Sequence, residues 1–347
     1  STHPLSSAAS DVYKRQAFAL PTYQSAWLKA HHPAAFFAGV LTHDPGMYPK
    51  RLILDDARNF GVPILGVDIN RSTEAYRLEQ SAPRDPDYQG SPGIRVPLSE
   101  VKGIAEAEVA RIIAGQPYEA LGDCWTRSRP SLPVAERLVM VGAFDELYGI
   151  GPDVSAKRRG TLTRRDLLIQ LADLNRRATG TVRTRRRARF DRSVQGRAAP
   201  DPVSQAGSQS QAPEPAPSPA DLPTQLSLDL GESGSAGPTG LPEMGPAERV
   251  RAELEVLGLD VSHHVIDFYR PMLAELSVVP SNELLTCRSQ AEILVAGVKV
   301  ATQTPPVRSG RRVVFLTVDD GSGPADAALF EDAQDAYAGE VFHHWTM

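Results

Sequence analysis

Two short stretches carry residue types whose spacing suits chemistry. The first is Val101-Lys102-Gly103-Ile104-Ala105, a run of small residues and one lysine between two helical patterns. Read as helix, tight turn and helix, it aims backbone N–H groups and a helix N-terminus at a common point, which suits a DNA phosphate. Lys102 adds a positive charge there. The second is Gln225-Leu226-Ser227-Leu228-Asp229-Leu230. Its three leucines alternate, so an extended backbone puts them on one side, led by an amide that both donates and accepts. Such a peptide docks in a preformed apolar groove and orders on contact. His31-His32, His43, His263-His264 and His343-His344 lack a helical spacing with a carboxylate partner, so they read as structural and no metal site is expected. Cys124 and Cys287 stand far apart without a C-x-x-C partner, which suggests neither a zinc site nor a disulfide framework and fits a reducing cytosol.

The elements that must position these stretches follow from composition and period. The 347 residues include 29 Pro and 27 Gly, concentrated in the middle, so folded parts are expected on both sides of a tether. A net charge of −5 argues against a uniformly basic nucleic-acid binder. Residues 157–197 nevertheless hold 14 Lys/Arg against 3 acidic residues, an asymmetry that phosphates would feel. No apolar run approaches the ~20 residues of a membrane span, and no signal-peptide core is present, so a cytoplasmic chain without membrane contact is expected.

Ala19, Leu20, Tyr23, Ala26, Trp27 and Ala30 recur at helical steps, and Pro33 restarts a helix carrying Ala34, Phe37, Ala38 and Leu41. Residues 50–59 give a third amphipathic helix, and 62–67, with Pro63, an edge strand. All of these read as an ordinary helical core. A polar connector follows, with a hairpin through Tyr76-Arg77-Leu78. Next come Ile94-Arg95-Val96-Pro97-Leu98, then a helix from Ser99, the turn at Lys102-Gly103-Ile104, and a helix turning Val109, Ile112 and Ile113 to a core. Residues 163–178 predict an amphipathic helix with Leu167, Leu168, Leu171 and Leu174 on one face. From Thr179 to Gly245 the apolar content is too low to offset the entropy of ordering. After Pro246 the pattern gives a helix ended by Gly258, a short helix capped by Ser281, and strands at 293–300, 312–320 and 325–330.

Several of these stretches resemble one family. Residues 23–36, Tyr-Gln-Ser-Ala-Trp-Leu-Lys-Ala-His-His-Pro-Ala-Ala-Phe, are similar to the end of the fingers region in bacterial C-family DNA polymerases, the group of the DNA polymerase III alpha subunit and its error-prone paralogue. His32 stands where the family usually has Tyr. Ile64-Leu65-Gly66-Val67-Asp68-Ile69-Asn70 is similar to its I-x-V-L-x-x-D-I/V-N. Residues 101–105 resemble V-K-G-I/V-G with Ala105 as the second Gly, and 138–145 resemble L-x-x-x-G-A-F-D. Residues 257–264 resemble L-G-x-x-x-S-x-H-P with Val265 replacing Pro, and the strands from Val295 resemble the family's OB-fold.

The resemblance implies a multidomain α+β chain from the C-terminal part of an alpha-type subunit. Residues 42–50 and 303–306 look closer to the actinobacterial error-prone branch. Residues 11–16 are similar to the translation of a transposon end used in sequencing libraries, so 1–16 are expected to be a non-native scar. The implied parts are 17–93 as fingers end and connector, 94–150 as helix-hairpin-helix module, 151–178 as basic helix, 179–245 as disordered tether, 246–287 as helical connector and 288–347 as partial OB-fold. Lys102, Gly103, Ile104 and Ala105 are expected on duplex DNA, and Lys299, Arg308, Arg311 and Arg312 on single-strand phosphates, with Phe315 in the core. Gln225, Leu226, Leu228 and Leu230 fit the family's Q-L-x-L-x-L sliding-clamp peptide at every specified position.

Other polymerase subunits are implied partners. The family's reaction is nucleotidyl transfer through Mg2+ ions on palm aspartates, which lie upstream in the family. No catalytic residue or cofactor is therefore expected here, and the chain alone should not extend a primer. The alternative is a complete, non-enzymatic, clamp-tethered DNA-binding accessory protein, which should begin with Met and close its barrel.

Overall fold

A computed structural model describes residues 4–44, 46, 48–80, 92–151, 162–195, 237–305, 313–334 and 337, with side chains described from Gln16 onward and not over 180–195. Three helices lead: α1 (Pro4–His31), α2 (Pro33–His43) and α3 (Lys50–Asn59). Pro33 sits in the first turn of α2, where its missing N–H has no partner to lose. A small sheet follows in the order β1 (Ile64–Leu65), β3 (Pro92–Arg95), β2 (Arg77–Gln80), with β1 parallel to β3 and β2 antiparallel. The expected edge strand beside Pro63 is thus present, as is the pairing of 77–80. Arg95 on the middle strand holds Glu79 through two bonds of 2.9 and 2.7 Å, fixing the register.

The chain then forms α4 (Glu106–Gly115), α5 (Leu121–Ser128), α6 (Leu132–Met140), α7 (Asp145–Tyr148), α8 (Arg164–Gln195) and α9 (Pro246–Val256). One core runs from Phe37, Leu41 and Leu54 through Ile94, Leu98 and Ile112 to Leu138, Phe144 and Leu167, and on to Val256 and Leu259. The glycine of the G-A-F-D run has a clear cause. Gly142 sits at φ +81°, and Arg164 and Asp145 crowd the place of a Cβ. Arg164 donates to Asp145 at 3.0 and 2.6 Å and to the Met140 carbonyl at 2.8 Å, so this corner closes on the start of α8.

The face of α1 expected in the core is open: Phe18, Leu20 and Tyr23 are more than 60% exposed. A helical period shows that one face is apolar, not that anything covers it. Among the described side chains α1 is engaged at its end, where Lys29 bonds Asp56 at 2.6 Å and lies over the rings of Phe37 and Phe60, and Trp27 stacks on His31. The expected tether is also shorter at both ends. Helix α8 continues through the arginine run to Gln195, since Arg and Ala are good helix formers and no proline intervenes. On the far side, Thr239 donates its N–H to Asp166 at 3.1 Å and Glu243 accepts the Arg164 N–H at 2.8 Å, so residues 237–245 are docked. Gln225, Leu226, Leu228 and Leu230 lie outside the described residues.

Beyond α9, 3-10 turns at Val265–Tyr269 and Ser281–Thr286 flank α10 (Arg270–Glu275). The cap expected from the Ser281 hydroxyl does not form. The Ser281 N–H donates to Asp320 at 2.7 Å, and Pro280 precedes the turn. A three-stranded antiparallel meander of β4 (Val298–Gln303), β5 (Val314–Asp319) and β6 (Pro324–Leu329) follows. It has its own small core of Leu316, Val318 and Ala325. Gly297 is required there, because a Cβ would lie 2.8 Å from the Asp319 carbonyl oxygen. Phe315, expected inside, is 43% exposed, because Val314, Leu316 and Val318 take the inner side of an alternating strand.

The meander meets the helical body at a buried polar joint. Asp55 of α3, Asp260 and His264 of the turn after α9, and Asp319 of β5 are all at most 6% exposed. His264 Nε2 stands 3.9 Å from both Asp55 Oδ2 and Asp319 Oδ2. Its Nδ1 accepts the Ile266 N–H at 3.2 Å, so a neutral ring carries its proton on Nε2, toward the carboxylates. Arg58 bonds Asp55 and the carbonyls of Asp260 and Val261. Burial, opposed by Arg58 and reinforced by Asp260 and Asp319, raises Asp55 to about 8. Burial lowers His264. His264, read from its sequence context as structural, instead lies with Asp55 and Asp260 in a buried trio whose ligand atoms fall within 4.8 Å of one another, a grouping that could hold a metal ion. Among the described residues no helix is long and apolar enough to cross a membrane.

Candidate nucleic-acid interface

The first arm of the hairpin is shorter than its sequence suggested. Residues Leu98–Glu100 form a single 3-10 turn, because Pro97 precedes it and Leu98 and Val101 are drawn into the core on either side. Between these anchors and α4 the chain must reverse within Lys102-Gly103-Ile104. Gly103 does so at φ +78°, a left-handed conformation that costs an L-residue about 1–2 kcal/mol. Ile104 N–H bonds the Val101 carbonyl at 3.1 Å, and Lys102 N–H bonds the Val256 carbonyl at 2.9 Å. The turn is thereby tied to α9, with Lys102 and Gly103 left exposed.

Ala105 occupies the N-cap of α4 at φ −89°, ψ 148°, an extended conformation open to any residue. The second glycine of the usual hairpin is not needed by this backbone. Alanine has no oxygen to cap the helix, so the bonding comes from the other direction. Glu108 accepts the Ala105 N–H at 3.2 Å and the Ser131 N–H at 2.7 Å. Burial would raise the Glu108 carboxyl, but these bonds outweigh it and hold it low. With Glu106 also in the first turn, the N-terminus of α4 is partly neutralised by its own acids.

The positive side of the turn is supplied by Lys102 and by a residue that its local sequence does not reveal. Arg137 of α6 donates through Nη1 to the Lys102 carbonyl at 2.6 Å, and a Cβ on Gly103 would lie 2.6 Å from the same nitrogen. The turn thus brings Lys102 and Arg137 together from segments more than 30 residues apart. No spacing rule joins them; only the packing of α6 under the turn does.

The second expected surface is less concentrated. Lys299 pairs with Val318 and Phe315 with Gln303 across the β4–β5 ladder, and a bulge between Lys299 and Ala301 separates the two pairs. Directly paired residues share a face. Lys299 therefore lies on the Val318 side and is half-buried, whereas Phe315 lies on the exposed side. The structure does not bring these two onto one surface. Arg308, Arg311 and Arg312 lie outside the described residues.

Comparison with known proteins agrees with this geometry. A family model described as a helix-hairpin-helix motif matches residues 61–152, taking in the small sheet as well as the turn. An error-prone DNA polymerase of Symbiobacterium thermophilum is 32% identical over 344 residues, 94% of this chain. An error-prone DNA polymerase of Nocardia farcinica is 29% identical over 89% of the chain. A DNA polymerase III subunit alpha of Vibrio cholerae is 26% identical over 93% of it. The chain spans only 28%, 22% and 24% of these three relatives.

Proposed function

The chain belongs to the family of the bacterial DNA polymerase III alpha subunit and the error-prone DNA polymerase, and we propose that within it this stretch holds DNA rather than making it. The observation that carries the reading is the exposed turn at Lys102-Gly103, backed by Arg137, inside a helix-hairpin-helix match. The turn Lys102-Gly103-Ile104-Ala105 takes a duplex phosphate on the Gly103 N–H and the Lys102 side chain, since the Lys102, Ile104 and Ala105 N–H groups already bond within the protein. The phosphate is held from the Lys102 and Arg137 side, away from Glu106. The β4–β6 meander is part of an OB-type barrel whose exposed Phe315 stacks a single-stranded base, with Arg308, Arg311 and Arg312 on the phosphates. Residues Gln225 to Leu230 dock on a sliding clamp, from a segment that leaves the body along α8 and returns at 237–245.

The parent reaction is DNA-directed nucleotidyl transfer, with Mg2+ on carboxylates outside this stretch and other polymerase subunits as partners. The test is direct: the purified chain should bind a primed duplex and leave the primer unextended when given Mg2+ and deoxynucleotides. Extension would overturn the division of labour, and absence of any duplex binding would overturn the DNA-holding role.

A further inference from the structure

The buried joint between the helical body and the meander has the makings of a cation site. Asp55 Oδ2, both carboxylate oxygens of Asp260, Asp319 Oδ2 and His264 Nε2 are sealed from solvent, and with the carboxylates ionised none has a hydrogen-bond partner among the described residues. Buried polar groups left unpaired are costly, and these converge from α3, the turn after α9 and β5. One ligand atom from each of Asp55, Asp260 and His264 lies within 4.8 Å of the others, and His264 Nε2 stands 3.9 Å from the Asp55 and Asp319 oxygens. Those gaps are too long for hydrogen bonds. They suit an ion better: around Zn2+ at about 2.0–2.2 Å, tetrahedral ligand atoms lie about 3.3–3.6 Å apart, so each gap closes by a few tenths of an ångström. Charge points the same way. Three carboxylates face the guanidinium groups of Arg51 and Arg58, which leaves one negative charge over in a place closed to water. A cavity of about 350 Å3, lined also by Tyr48, Leu52 and Asp56, touches Asp55 and Asp319, so an ion has a short way in.

We infer that Asp55, Asp260, His264 and Asp319 form a site for a divalent transition-metal ion, Zn2+ before others, that fastens the meander to the helical body. The imidazole selects the ion, because Mg2+ and Ca2+ keep to oxygen ligands whereas Zn2+ takes nitrogen and carboxylate together. Four protein ligands leave no open position, the pattern of a structural rather than a catalytic zinc. Outer partners are already in place: Arg58 bonds Asp55, and the Gly321 N–H donates to Asp319 Oδ1 at 3.0 Å. His264 must change tautomer. In the metal-free ring Nδ1 accepts the Ile266 N–H at 3.2 Å and the proton sits on Nε2. Loading moves that proton to Nδ1, breaks the Ile266 bond and frees the Nε2 lone pair for the ion. Asp267, in the same turn and accepting the His264 N–H at 3.1 Å, is the carboxylate that takes up the moved proton as a hydrogen bond. Without the ion, the same oxygens are left to share protons. The site is independent of the DNA-holding role.

The experiment takes the full chain, stripped with a chelator and dialysed, and titrates it with Zn2+. Bound metal is counted by mass spectrometry after equilibrium dialysis, and unfolding is followed by calorimetry. The wild type should hold about one ion per chain and melt about 5–10 °C higher at free Zn2+ of about 100 times the Kd. Asp55→Asn and Asp319→Asn, on two separate elements, should each weaken binding at least about 10–100-fold and lose the shift. His263→Gln, at the exposed neighbour, should bind as the wild type does. Co2+ in the wild type should give the strong visible absorption of a tetrahedral site and be displaced by Zn2+, a readout that needs no variant to fold. A weak octahedral Co2+ spectrum, no stoichiometric Zn2+, or an equal shift with Mg2+ would overturn the inference. So would full binding in both Asp variants, or its loss in His263→Gln, which would mark an adventitious ion on surface histidines.

Discussion

The joint between the helical body and the β4–β6 meander should weaken with rising pH near neutrality. Asp55 is held protonated up to about 8, whereas in the unfolded chain it ionises near 3.8. Between those values the folded state carries a proton that unfolding releases, so stability is fully present below the lower value and lost as pH rises toward the upper. Asp260, also raised by burial, acts in the same direction. His264 acts oppositely. Its depressed ring prefers to be neutral, so its contribution is lost as pH falls through its unfolded value of 6.5 and below. Above 6.5 only the carboxylate effect remains.

A single site changes stability by at most about 1.4 kcal/mol per pH unit, so from pH 6.5 to 8 the loss should reach about 2 kcal/mol. The groups facing the joint are Asp55 and the Arg51 and Arg58 guanidinium groups from α3, Asp260, His264 and Asp267 from the turn, and Asp319 from β5. The perturbation is Asp55→Asn, which keeps shape but cannot ionise. Urea unfolding at pH 6.5, 7.2 and 8 (roughly half-unit to unit steps on the linkage scale) gives the slope. In metal-free protein the wild type should lose stability across the series, and the variant should keep only the shallower slope left by the other raised carboxyls such as Asp260. Equal slopes in the two, or a wild-type stability that rises with pH, would refute the shared-proton joint.

Other expectations concern single side chains. Gly103→Ala should cost about 1–2 kcal/mol in denaturant unfolding from the positive φ alone. It should also weaken duplex binding, because the Arg137 guanidinium must move from Lys102. An unchanged affinity would detach the turn from DNA. Phe315→Ala should leave stability within about 0.5 kcal/mol while lowering single-strand affinity by about 1–3 kcal/mol. Leu316→Ala, one residue on, should cost about 2–3 kcal/mol of stability. If Phe315→Ala is the destabilising one, the alternation of β5 is misassigned.

Much of this architecture is legible in the chain. The helices at 33–43 and 50–59, the edge strand at 64–65 and the three late strands follow from periodicity and proline placement. The hairpin turn is legible because only glycine takes the left-handed corner readily, and its neighbours are apolar anchors. Other features depend on what lies opposite. The apolar steps of α1 predict a buried face, yet nothing described covers Phe18 to Tyr23. Arg137 joins the turn from α6, and the Asp55, Asp260 and Asp319 joint draws on segments more than 200 residues apart, so no local spacing announces either. Phe315 shows the same limit at the scale of one residue, since register decides which side of a strand is inner.

The most direct test of the polymerase reading is binding of the full chain to a bacterial sliding clamp at fixed salt, wild type against a Gln225→Ala, Leu228→Ala double variant. Binding by the wild type and its loss in the double variant is the predicted result. Equal binding by both, or none by either, would contradict a clamp-tethered, DNA-holding part of a polymerase.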